Sequence, residues 1–359
     1  MTHHERRFSS ASLSDGGFRS LGEFLIAVRR AAVDQLQDRR LLVTRSGANE
    51  VDPTAGGFAV PEVYSARVIR SIYESAMLAP LCDVTETGSP LASFKEPAID
   101  ETSRQDGARW GGMVSYWEAE AEQIGASKPR FRLNEFTGHK LTQLCYVTNE
   151  LFRDSALLES HFERAMAEEG SFKLDAAILK GTGAGVPLGI LNSPCLITVN
   201  PAAGQAPGTI TGANVEEMWK RTPIPCRRRA VWLVNEDAEE QLSGIGAAVG
   251  ETSAMAATYI PQGAAGGNPY PLLKGRPVFA IEQAPQLGTP GDVVLADLQS
   301  YRVIQGAPRF AMSADVAFLT DEMAFRFTFR VDGKPSYLTP ITPYNGSQTR
   351  SPFVTLGAR

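Results

Sequence analysis

The 359-residue chain has little of what most catalytic and metal sites are built from. It holds four histidines and four cysteines. His3 and His4 sit at the N-terminus, His139 and His161 stand far apart, and none belongs to H-E-x-x-H or to a His/Cys ligand spacing. Cys82, Cys145, Cys195 and Cys226 include no C-x-x-C pair. A disulfide framework belongs to short secreted chains, so buried free thiols in a reducing cytosol are expected. No run approaches the roughly 18 apolar residues of a membrane span. The opening MTHHERRFSS lacks the apolar core of a signal peptide. Strong charge of one sign is missing too: the formal net charge is -5, which argues against a dedicated nucleic-acid binder. Internal repeats and low-complexity tracts are absent, as is a G-x-S-x-G nucleophile elbow. Neither a cofactor nor a metal is expected.

What is present is a foldable chain with many turns. With 43% hydrophobic and 21% charged residues it can bury a core, and 33 glycines with 23 prolines point to long loops rather than a helical bundle. At about 150 residues per domain, the length suits two domains or one elaborated one.

Ser20-Leu-Gly-Glu23 has the S-x-x-E order of a capping box. Leu21, Phe24, Leu25, Val28, Ala32 and Leu36 then give the helix one apolar stripe. This helix cannot make its own core, so it must pack on its own body or on a neighbour, and the neighbour is expected. Pro61 suits a helix start, with that helix running to about Ala79 and Pro80 stopping it. Asp154–Lys180 reads as the longest helix, interrupted only by Gly170 and ended by Gly181. From Ala213 the pattern is mixed: helices at 215–220 and 236–245, strands at 229–235, 278–281, 293–296 and 301–304, and a glycine- and alanine-rich loop to Gly267. Phe325-Arg-Phe-Thr-Phe-Arg-Val331 alternates strictly, which predicts a half-buried strand.

Residues 88–130 are the anomaly. They carry 12 charged side chains and nine large apolar ones. Ordering backbone costs about 1–2 kcal/mol per residue, and burying a large apolar side chain returns only about 1.5–3 kcal/mol. The stretch cannot order itself, so it is mobile or lies on another subunit. Alternation at Met113–Trp117 and Arg130–Leu133 suggests a long two-stranded arm. Trp110, Tyr116 and Trp117 on that arm, with Phe24 and Leu25 on the N-terminal helix, are the candidate inter-subunit contacts.

Two features resemble ligand sites and read better as structure. Gly181-Thr-Gly-Ala-Gly-Val-Pro-Leu-Gly189 lacks the G-K-[ST] ending of a P-loop and follows a helix instead of a strand, so a tight turn is expected. Arg227-Arg228-Arg229 could touch phosphates, but a solvated or acid-paired surface is the simpler reading.

Six motifs occur in order: Phe18-Arg-Ser-Leu-Gly-Glu-Phe-Leu25, Gly56-Gly-Phe-Ala-Val-Pro61, Asp175-Ala-Ala-Ile-Leu-Lys-Gly-Thr-Gly183 with Pro187-Leu-Gly-Ile-Leu191, Leu273-Lys-Gly-Arg-Pro-Val278, Asp297-Leu-Gln-Ser-Tyr301 and Arg330-Val-Asp-Gly333. From about residue 18 to 340 the chain resembles the major capsid proteins of tailed bacteriophages and prophages, the family with the Hong Kong 97 fold. The resemblance implies an α+β fold with an N-terminal arm (1–60) and an extended β-hairpin loop (88–142). It also implies a peripheral domain with a long spine helix (61–87, 143–212 and 319–359) and an α/β axial domain (213–318). It implies a structural protein without catalysis: self-assembly into pentamers and hexamers of an icosahedral virion capsid around double-stranded DNA. Contact with that DNA would be weak and non-specific, no membrane would be involved, and assembly would occur in the host bacterial cytoplasm. Portal and decoration proteins are implied partners, and, because only 60 residues precede Pro61, so is a separate scaffolding protein or none. Some relatives crosslink lysine to asparagine by an isopeptide bond; Lys95, Lys128 and Asn345 are the candidates here. The alternatives are an encapsulin-like nanocompartment shell and a cytosolic α/β enzyme using residues 181–189 as a ligand loop.

Overall fold

The computed structural model describes residues 23, 27, 30, 38, 40–41, 57–59, 62–87, 93–99, 101–105, 108–117, 125–148, 155–244, 259–262, 269–317 and 322–359. In chain order these include strand β1 (Gly57–Ala59), helix α1 (Glu62–Ser75), and strands β2 (Asp83–Glu86), β3 (Ser93–Ile99), β4 (Phe131–Thr137) and β5 (His139–Thr148). Helix α2 (Ser155–Lys180), β6 (Ile197–Val199), α3 (Gly212–Arg221), α4 (Ile224–Arg227), β7 (Val231–Val234) and α5 (Glu236–Gly244) follow. The rest is strand: β8 (Tyr259–Ile260), β9 (Leu272–Leu273), β10 (Arg276–Ala280), β11 (Val293–Ala296), β12 (Tyr301–Gln305), β13 (Arg309–Ala317), β14 (Glu322–Pro335) and β15 (Phe353–Leu356).

The alternating run of phenylalanines organises the first sheet. Phe325, Phe327, Phe329 and Val331 of β14 are buried, while Arg326 and Arg330 face out. Val331 is opposite both Gln305 of β12 and His139 of β5, and Phe325 is opposite both Met312 of β13 and Cys145 of β5. So β5 lines one edge of β14, and β12 and β13 follow one another along the other. Strands β1 and β2 close the far side by pairing with β13 and β12. Helices α1 and α2 cover the phenylalanine face, where Ile72, Leu174 and Ile178 join the same core.

The sequence reading of α2 holds, and its glycine has a reason. A Cβ on Gly170 would lie 2.8 Å from Ile72 Cδ1, so the residue allows α1 and α2 to approach closely. Met166, Ala167, Leu174, Ile178 and Leu179 form the buried stripe. Arg164–Glu168 (2.7 Å) and Lys173–Glu169 (3.7 Å) lie on the solvated side.

Helix α1 ends at Ser75, earlier than the expected Ala79. The buried carboxylate of Asp175, on α2, accepts the amides of Met77 (2.8 Å), Leu78 (3.2 Å) and Ala79 (3.2 Å). These donors therefore leave the helical pattern for a long-range partner, and Pro80 sits inside the 3-10 turn Ala79–Leu81 that follows. Burial pushes the Asp175 carboxyl above its ordinary pKa while the three amides pull it down.

The second sheet runs β6-β15-β11-β7-β10-β9-β8. Its central strands, Val-Trp-Leu-Val and Val-Val-Leu-Ala, are buried throughout because both faces are covered. Val231, Leu233, Val294 and Ala296 turn toward the phenylalanine core. Trp232, Val234, Val293 and Leu295 meet Val215 and Met218 of α3 and Ala238 and Leu242 of α5. Thr211 and Asn214 cap α3 reciprocally.

Sheet membership divides the chain differently from the ranges read from sequence. β12 and β13 lie in the first sheet although they fall within 213–318, and β6 and β15 lie in the second although they fall in the ranges 143–212 and 319–359. Residues 139–142, included in the extended hairpin loop by the sequence reading, are paired with β14 of the first sheet. Short strands acquire their partners from long-range register, which local composition does not encode. Tyr259–Ile260 forms a strand in the stretch expected as loop.

The second sheet is secured beside β11 by a buried ion pair. Arg359 Nη1 and Nη2 donate to Asp292 Oδ1 (3.1 Å) and Oδ2 (2.6 Å), with Arg359 1% and Asp292 0% exposed at their side chains. Removing one partner strands the other charge, so Arg359→Ala is expected to cost about 3–5 kcal/mol. Urea unfolding of the purified subunit measures it, and a loss below 1 kcal/mol, on the order of a surface pair, would contradict the role given to this contact.

Candidate assembly surface

The features resembling ligand sites prove structural. The Gly181–Gly189 turn is a clamp at the end of α2: Gly183 N donates to Pro187 O, Gly189 N to Gly181 O, and Leu188 N to Gly333 O. Tyr301 Oη, buried, donates to Leu188 O at 2.9 Å. A Cβ on Gly189 would lie 2.4 Å from Gly181 N, which leaves room for glycine alone. Arg229 pairs with the buried Asp297 (2.7 Å). Arg227 donates to Thr222 O and stacks over Trp219 at 5.4 Å, while Arg228 is exposed.

Cys82, Cys195 and Cys226 are buried and Cys145 is half-buried. Burial pushes the Cys226 thiol up to about 12, and Cys82 higher still, so neither supplies a thiolate nucleophile near neutral pH. Among the described residues no group of three or more His, Cys, Asp or Glu side chains could hold a metal ion. None of the described helices is long and apolar enough to cross a membrane.

The arm is where the surface departs from an ordinary soluble face. β3 and β4 pair antiparallel from Ser93–Thr137 to Ile99–Phe131. Their inner side belongs to the chain's own body: Phe136 is buried against Ile304 and beside Phe94, with ring centroids 6.4 Å apart. Arg132 donates to Ser336 O, and Arg302 donates to Glu96 (3.2 Å). The base of the arm thus rests on the chain's own sheet.

The outer side is inverted in polarity. Ile99, Phe131 (66% exposed) and Leu133 (61%) face solvent, while Arg132 and Asn134 of β4 turn inward. In the connection between the two strands Trp110 is 59% exposed, Met113 55% and Tyr116 54%, and Trp117 is fully exposed. Large apolar side chains exposed in this number along one hairpin and its connection make it the candidate interaction surface.

Met113–Trp117, expected as strand, is irregular. Trp110, Gly111 and Gly112 all take positive φ (49°, 71° and 102°), which turns the chain sharply. Arg130 N then donates to Gly111 O in place of a strand ladder. For Trp110 this is a left-handed conformation that costs of order 1–3 kcal/mol.

Of the remaining candidates, Phe24 and Leu25 lie outside the described residues. Nearby, Ala27 and Leu41 are buried in the main core, and Arg40 pairs with Glu23 (2.6 Å) and Asp38 (2.8 Å). Ala27 and Leu41 thus pack on the chain's own body, while the apolar stripe expected to meet a neighbour lies outside the described residues. Lys95 pairs with Glu135 at 3.3 Å, whereas Lys128 and Asn345 are exposed. Among the described residues no contact joins Asn345 to either lysine within the chain. Sequence reasoning missed Phe131 and Leu133 because alternation shows two faces without showing which is inward.

The fold of this chain has parallels among solved structures. The capsid of an empty GTA particle shares 17% identity, covering 79% of this chain and 90% of its own, with a TM-score of 0.53. The capsid of a native GTA particle gives 18%, 79%, 91% and 0.52. Microbacterium phage Oxtober96 gives 11%, 92%, 98% and 0.50. The fold is thus that of the Hong Kong 97-like capsid subunits. No curated protein sequence matches this chain. Residues 56–346 match the Phage capsid family, and the chain belongs to that family. Its role is structural, as a shell protein rather than an enzyme.

Proposed function

We propose that this chain is the repeating subunit of an icosahedral head, forming pentamers and hexamers that close around double-stranded DNA. The observation that carries the reading is the outward apolar face of β3–β4 with Trp110, Tyr116 and Trp117. A lone subunit leaves it wet, and a neighbour would bury it. Each such contact is modest, and closure comes from repeating it around closed symmetry. Phe24 and Leu25 would add a second contact through the N-terminal helix. DNA would meet the wall without sequence preference, in keeping with the mildly acidic balance. Portal, scaffolding and decoration proteins would join this shell during assembly in the bacterial cytoplasm.

Light scattering with negative-stain imaging of the purified chain tests the proposal. Closed particles, or discrete five- and six-membered rings, are the expected result. A subunit that stays monomeric even with a scaffolding partner would overturn it.

A further inference from the structure

Helices α3 and α4 end against the segment that leads into β15, and four arginines gather at that junction. Ser351 N donates to Arg221 O at 3.0 Å, and Arg221 Nη2 donates to Thr349 Oγ1 at 3.4 Å. These two contacts set Arg350, between them in sequence, beside the last residue of α3. Arg227 of α4 donates to Thr222 O (3.1 Å) and Lys220 O (3.3 Å), so its guanidinium closes the carbonyl end of the same helix. Arg228 stands exposed at the rim. The run Arg227–Arg229 taken alone is structural. Arg221 and Arg350, brought to it from elsewhere in the chain, change its character.

Cations at a helix C-terminus are favourable in themselves, but this group lacks counter-charges. Among the described residues no carboxylate pairs with Arg221, Arg227, Arg228 or Arg350. The two carboxylates of α3, Glu216 and Glu217, are held by Lys274 and Lys220, and Asp297 takes Arg229. Arg40, Arg302 and Arg359, by contrast, each meet a carboxylate. Arg221, Arg227 and Arg350 are half-buried, so salt screens them less than it would fully exposed charges. Burial, and after it the charge of Arg350, pull the pKa of Arg227 below its usual value. Among the described residues, Arg227 Nη1 and the Arg350 guanidinium make no hydrogen bond. Unused donors and mutual repulsion together describe a place that an anion would complete.

We propose that Arg221, Arg227, Arg350 and Thr349 form a phosphate-binding site in the lobe of the second sheet. Guanidinium forks match phosphate oxygens two at a time. The Thr349 hydroxyl accepts from Arg221 and keeps its own proton to donate. A carboxylate brings one charge and two oxygens, which would leave most of the cluster uncompensated; phosphate brings more of both. Free phosphate and a nucleic-acid backbone both present these oxygens. Such a site would bind in a single subunit or a closed particle alike, so it stands or falls apart from the shell reading.

Calorimetric titration of the full chain with inorganic phosphate at constant ionic strength tests the site, with the melting temperature followed over the same range. Saturable binding and a rising melting temperature are expected with phosphate and not with acetate. Because Arg350 repels Arg227, R350Q is expected to melt no lower than the parent in chloride. It is also expected to bind phosphate about tenfold more weakly or worse, the loss of one charge-assisted hydrogen bond. If R350Q melts lower through lost packing, R350K, which keeps stem and charge without the fork, carries the comparison. A short DNA duplex separates the sources: displacement of bound phosphate assigns the site to a polymer backbone, and no displacement assigns it to free phosphate.

Either source keeps the site. No saturable phosphate binding, equally tight binding of acetate, or an Arg350 variant that binds phosphate as tightly as the parent would each overturn the proposal.

Discussion

Replacing Phe131 and Leu133 together by serine is expected to leave a folded subunit that no longer closes into particles. Both side chains are mostly exposed in the single chain, so their loss should change folding stability by only about 0.5 kcal/mol each. In a shell, the same side chains would be buried by a neighbour, each contributing about 1.5–3 kcal/mol. That loss recurs at every equivalent contact, and closed assembly multiplies it. Thermal melting and sedimentation velocity on the same preparation check the two halves of the expectation. Particles at the parent's yield would show that the outward face of β4 is not an assembly contact.

The second large effect concerns the fold itself. Asp175→Ala would remove the acceptor for the amides of Met77, Leu78 and Ala79, and Leu78 and Ala79 are fully buried. An unsatisfied buried donor costs about 1–3 kcal/mol, so a loss of roughly 3–5 kcal/mol is expected after partial relaxation. That approaches the whole stability of many domains. Asp175→Asn keeps one oxygen acceptor and should fall between the parent and alanine. Chemical denaturation of the three proteins gives the order; equal stability of the alanine variant would refute the account of where α1 ends.

Asp175 also shows what kind of information the sequence carries. The Asp175–Gly183 run was legible as a motif, and the length of α2 and the alternation of β14 were legible from period alone. The task Asp175 performs was not, because its partners lie about a hundred residues earlier in the chain. Sheet membership was not legible for the same reason: β6, β13 and β15 are short or interrupted, and their partners are remote. At the assembly surface, Trp110, Tyr116 and Trp117 stood out because a charged, glycine-rich stretch gave them nothing to pack on. Phe131 and Leu133 did not, since a buried Phe136 on the same strand makes the reverse orientation equally plausible from composition. The placement of Arg132 against Ser336 and of Phe136 against Ile304 fixes which side faces out.

The position of β15 in the second sheet has a consequence for synthesis. This strand is inserted between β6 and β11, pairing parallel with one and antiparallel with the other. Ribosomes add about 5–20 residues per second in the organisms where this has been clocked. The interval between Ala296, where β11 is complete, and Phe353 therefore lasts about 3–11 s at those rates. Throughout it, β6 and β11 have facing backbone edges and no strand between them, and open edges recruit other chains. A protein made in great numbers at one time would expose many such half-built sheets together. Late completion of this lobe thus sets a competition between intramolecular closure and aggregation, decided on the nascent chain before any shell contact can form.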